Sequence, residues 1–78
     1  MKSIIQFTIS REDGVYTADG VNAPIVTEGS TFEELQENIR DAVALYFEGD
    51  DPATLGFEKN PAILTSFEVA QPLYAGRA

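Results

Sequence analysis

Apolar and polar positions alternate from residue 3 to residue 11. Ile5, Phe7 and Ile9 fall on one side, and Gln6, Thr8 and Ser10 on the other. A period of two marks a half-buried strand. Asp13-Gly14 follows, a pair favoured in type I′ turns, and Val15 to Asp19 reads as the return strand. A two-residue turn sets Arg11 opposite Tyr16 and Ile9 opposite Ala18. Tyr16 and Ala18 then share the apolar face with Phe7 and Ile9. The other face carries Gln6, Thr8, Ser10, Thr17 and Asp19 and is polar. Gly20 to Pro24 is expected to be a loop. Ile25 to Glu28 is expected to be a short third strand at a sheet edge, because Pro24 stands at its start.

The period then changes to that of a helix. Thr31 and Glu34 have the spacing of a capping box, in which each end of a Thr-x-x-Glu segment satisfies a free amide of the first turn. At about 100° per residue, Phe32, Leu35, Ile39, Ala42, Val43, Tyr46 and Phe47 cover one arc. Glu33, Glu34, Glu37, Asp41 and Glu48 fall on another. Gly49 suits the position just past the helix, and Asp50-Asp51-Pro52 prevents continuation. Residues 50–61 read as a loop with a short turn around Leu55 and Phe57. Alternation resumes over 62–70, with Ile63, Thr65, Phe67 and Val69 against Leu64, Ser66 and Glu68, and Pro72 ends this fourth strand.

The expected fold is α+β, in the order β-β-β-α-β, with one helix packed on the apolar face of a largely antiparallel four-stranded sheet. The strand after the helix is expected beside the first, giving the order 3-2-1-4. Ile5, Phe7, Ile9, Leu35, Ile39, Val43, Ile63 and Phe67 form the expected core. Residues 1–71 make one domain, and 72–78 a tail.

Composition narrows the function. A chain of 78 residues is one domain and buries only about 60% of its unfolded surface, so oligomerisation is a natural source of further stability. With no cysteine and no histidine, disulfides, thiolate metal sites and the commonest general base are absent. Thirteen Asp and Glu face five Lys and Arg, a net charge of −8. That balance repels nucleic acid and anionic membranes, and it speeds encounter with a basic protein. No leader or long apolar stretch is visible at the N-terminus, which points to the cytoplasm.

Catalytic chemistry finds little support. None of Ser3, Ser10, Ser30 and Ser66 lies in a nucleophile motif with a base. Asp50-Asp51 lacks calcium-loop spacing and reads as a solvated helix exit. The glycines form no phosphate loop, and Glu33 and Glu34 would repel an anion from the helix N-terminus. The polar sheet face has no aromatic platforms for single-stranded RNA. The chain is therefore read as neither an enzyme nor a cofactor or metal binder. Its candidate partner-binding residues are Asp19 on the polar sheet face and Glu33, Glu34, Glu37 and Asp41 on the helix.

Three segments carry a family resemblance: Gly14-Val15-Tyr16-Thr17-Ala18-Asp19, then Ala23-Pro24, then Thr27-Glu28-Gly29-Ser30-Thr31-Phe32-Glu33-Glu34-Leu35-Gln36-Glu37-Asn38-Ile39. Together they resemble the HicB antitoxin family over roughly residues 4–48, most specifically in the Thr-x-Gly-x-Thr-x-Glu-Glu segment that opens the helix. The resemblance implies a partial ribonuclease-H-like or double-stranded-RNA-binding-domain-like sheet with one helix layer. It also implies homo-oligomers and the masking of a small basic toxin ribonuclease. Two departures stand out. The family's Pro-Gly is Pro24-Ile25 here, and only Gln71 to Ala78 follow the last expected strand. Operator binding through an appended DNA-binding segment is accordingly not expected. The other reading left open is a stand-alone accessory subunit or small-ligand-binding domain.

Overall fold

A computed structural model describes residues 1–67. Strands β1 (Lys2–Glu12), β2 (Val15–Gly20) and β3 (Val26–Gly29) precede helix α1 (Phe32–Phe47). A 3₁₀ turn (Pro52–Leu55) and strand β4 (Phe57–Phe67) follow. The sheet order is β3-β2-β1-β4. β1 and β2, and β2 and β3, pair antiparallel, whereas β4 runs parallel to β1, so the sheet is mixed. The helical crossover between β3 and β4 brings the chain back in the parallel sense.

The first hairpin has the register that its turn chemistry dictates. Asp13 and Gly14 both adopt positive φ, 52° and 77°, as a type I′ turn requires. Arg11 faces Tyr16 and Ile9 faces Ala18. Past Gly20, Asn22 extends the ladder with its side chain. Its Oδ1 accepts from the Gln6 amide at 2.9 Å, and its Nδ2 donates to the Ile4 carbonyl at 2.9 Å. β3 begins one residue later than the alternation suggests, and Ile25 is buried just before it.

The helix starts and stops on the expected signals. Thr31 Oγ1 accepts from the Glu34 amide at 3.0 Å, while Glu34 Oε1 accepts from the Ser30 amide at 2.8 Å and from Ser30 Oγ at 3.2 Å. At the other end Gly49 takes φ 80°, and the Glu48 amide donates to the Leu45 carbonyl at 3.1 Å. Leu35, Ile39 and Val43 bury the helix face against Ile5, Phe7 and Ile9 of β1 and Ala18 of β2.

Two expectations need correction. Ile63 and Phe67 point to the helix side but remain 37% and 45% exposed, because α1 lies closest to β3 and β2 and leaves an open trough between itself and this part of β4. Gly29 makes this possible: a Cβ placed on it would come within 2.7 Å of the Leu35 nitrogen, so only a residue without a side chain lets α1 settle so close to β3. The second correction concerns residues 57–61, read as loop, which belong to β4. Lys2 pairs with Phe57 and Ile4 with Ala62, so the longer β4 segment bulges opposite Ser3. Asn60, at φ 54°, lies in that bulge. Phe57 is 1% exposed and fills the space beneath the helix C-terminus against Phe47, with ring centroids 5.6 Å apart. The part of the fourth strand expected over 68–70, the domain boundary at 71 and the tail 72–78 lie outside the described residues.

Candidate functional site

The five sequence-selected acids occupy two separate surfaces. Asp19 is exposed on β2. Its neighbour Ala18 is buried under the helix, so strand alternation turns Asp19 to the open face of the sheet. There it pairs in register with Thr8 on one side and Val26 on the other. Thr17 pairs with Glu28, which puts a second carboxylate on the same face. Glu33, Glu34, Glu37 and Asp41 are exposed on α1, which covers the opposite face.

The helical acids are not equivalent. The Glu34 carboxylate is engaged by Ser30 in the cap, and its first duty is to fix the helix entry. Glu33, Glu37 and Asp41 recur every fourth residue and form a stripe about 12 Å long at 1.5 Å rise per residue. Each like-charged i,i+4 pair costs a helix about 0.2–0.5 kcal/mol. The helix dipole offsets this only for Glu33, in the first turn. The stripe lies in solvent.

Asp51 has a local role. Its Oδ1 accepts from the Ala53 amide at 3.0 Å and caps the 3₁₀ turn. Among the described residues no group of three or more Asp or Glu side chains converges to hold a metal ion. No helix among them is long and apolar enough to cross a membrane.

A third surface was not picked out from the sequence. Between α1 and β4 lie two adjoining depressions of about 320 and 430 Å³ that share Arg40, Pro61 and Ile63. Phe32, Ile39 and Phe47 line the trough further, and no carboxylate does. Near one end Phe32 meets Tyr16 and Phe67 edge-on, with centroids 5.8 and 6.5 Å away, and Arg11 lies over the Tyr16 ring at 5.5 Å. The sequence does not mark this surface off, since runs of eight residues without charge occur at 3–10 and 20–27 as well as at 60–67.

A UPF0150 protein of Thermotoga maritima is 39% identical over 51 residues, a match that covers 65% of this chain and 73% of that relative. The chain belongs to the UPF0150 family. No family model matches it, and no solved structure matches it at a significant level. In this UPF0150 domain, sheet and helix act as a platform that displays carboxylates on two outer surfaces and leaves an apolar trough at one edge.

Proposed function

We propose that this chain is a non-catalytic protein-binding module of the HicB antitoxin type, which neutralises a small basic toxin ribonuclease by direct contact. The observation that carries the reading is the solvent-exposed stripe Glu33, Glu37 and Asp41, presented by a helix whose entry segment has the HicB-like pattern. UPF0150 membership supports it. The helix stripe is favoured over the sheet face around Asp19, because it concentrates three carboxylates on one rigid element without engaging them in the fold. A basic ribonuclease that must hold RNA phosphates presents a complementary positive surface, and occupying that surface blocks the substrate. Electrostatic attraction of this kind acts mainly on the rate of encounter.

The test uses the ribonuclease recovered by co-purification with the chain from its native host. The double variant Glu33→Lys/Glu37→Lys is expected to associate ~10-fold more slowly at low salt, with a much smaller change in dissociation. Raising the salt should slow the wild-type encounter toward that of the variant. Equal, salt-independent association rates would overturn the electrostatic role. Recovery of no basic protein would overturn the antitoxin reading.

A further inference from the structure

The trough between α1 and β4 differs in charge from the rest of the molecule. Among the described residues no Asp or Glu lines either depression, in a chain that has thirteen. Arg40, the only basic residue of α1, lines both. At about 100° per residue it falls on the β4 flank of the helix, while Asp41 beside it falls on the solvent side. The depression at the C-terminal end of the helix has a volume of about 320 Å³. Val43 and Phe47 of α1, Pro52 of the 3₁₀ turn, and Pro61 and Ile63 of β4 wall it. It belongs to the start of β4, roughly 20 Å along the strand from Phe67. Asn60 is its second hydrogen-bonding side chain. That residue sits in the bulge at φ 54°, in the left-handed region. Bulges and strained residues of this kind gather at sites where a side chain is aimed at a ligand. An apolar wall with a few polar groups, enclosing about 300–1,000 Å³, is the usual make-up of a small-molecule site.

We propose that this depression binds an amphipathic carboxylate, a small molecule with one anionic head and an unbranched apolar body. Charge selects the head. A chain of net charge −8 repels anions over most of its surface, and the trough is where that repulsion gives way to a cation. The guanidinium of Arg40 is a planar fork that can take both oxygens of a carboxylate. Its methylene stem can lie on the apolar wall while the charge stays in solvent. Asn60 adds an amide that can donate to the same head. Shape selects the body. The two depressions join through Arg40, Pro61 and Ile63 and run along the helix between Phe47 and Phe32, so the space is long and open. A narrow chain lies in such a space against Val43, Phe47 and Pro61, whereas a compact ring system would leave much of its surface in water. The inference does not depend on the proposed toxin binding, because Glu33, Glu37 and Asp41 lie outside both depressions.

The experiment is titration of the isotope-labelled full chain with octanoate and, separately, with octyltrimethylammonium, followed by amide chemical shifts. The two probes share a tail and differ in the sign of the head. Octanoate is expected to give saturable shifts centred on Arg40, Ala44, Phe47 and Ile63. Its dissociation constant should be ~10-fold or more below that of the cation, against the direction that net charge alone dictates. Arg40→Gln should weaken octanoate ~10-fold, with an unchanged far-UV spectrum. Arg40→Lys keeps the charge without the fork and should fall between the two. Ala44→Trp puts a ring into the depression from an exposed helix position and should abolish saturation. Absence of saturable shifts in the wild type, or a cation that binds as tightly as octanoate, overturns the proposal. Octanoate affinity retained in Arg40→Gln overturns the role of Arg40, and saturable shifts centred on other residues overturn the site.

Discussion

Gly29→Ala tests the packing that sets the position of the helix. Gly29 is buried in β3, opposite Tyr16. Its backbone is not left-handed, so alanine meets no conformational penalty there. Taken alone, the loss of glycine freedom in the unfolded chain would stabilise by about 0.4–1 kcal/mol. The added methyl, however, falls 2.7 Å from the Leu35 nitrogen, 2.9 Å from its Cα and 3.2 Å from the Glu34 carbonyl carbon. All three are backbone atoms of a capped helix and cannot rotate away. Overpacking of this kind typically costs about 1–3 kcal/mol, so the clash wins and a net loss of about 1–2 kcal/mol is expected. In a domain of this size that corresponds to a Tm lower by roughly 5–15 °C. Thermal unfolding followed by circular dichroism measures the shift, and amide chemical shifts locate the strain. The shifts should change around Leu35 and Tyr16. The control is Gly49→Ala, where space is open but φ is 80°. That variant loses stability through left-handed backbone, about 1–2 kcal/mol, without moving the helix start. A Gly29→Ala protein as stable as wild type, with an unshifted Leu35 amide, would refute the close-approach argument.

Phe57→Ala should cost about 3–5 kcal/mol, measured by urea unfolding, since a nearly inaccessible ring leaves a cavity beneath the helix C-terminus. A change below about 1 kcal/mol would place Phe57 outside the core. Thr31→Ala removes the oxygen that accepts the Glu34 amide and should cost about 0.5–2 kcal/mol, with faster hydrogen exchange confined to the first turn of α1. The slowed encounter of Glu33→Lys/Glu37→Lys tests the acidic helix surface.

What the sequence determined by itself was what depends on neighbours along the chain. Asp13-Gly14 favours positive φ at both turn positions, and the resulting turn sets Ile9 against Ala18 with no help from the rest of the fold. Thr31 and Glu34 are three residues apart, so the cap that opens α1 is a local event, as is the stop at Gly49. The outward position of Glu33, Glu37 and Asp41 follows from helical period alone. Tertiary structure decided everything that depends on distance across layers. Periodicity names the face that Ile63 and Phe67 occupy, but not whether the helix reaches them. That depends on where α1 sits over the sheet, and the missing side chain of Gly29 lets it lie close to β3. Phe57 follows the same logic, because its burial comes from a bulged parallel pairing with β1, a strand more than fifty residues earlier in the chain. The trough could therefore appear only with the layers in place, since a gap between elements has no period of its own to leave in the sequence.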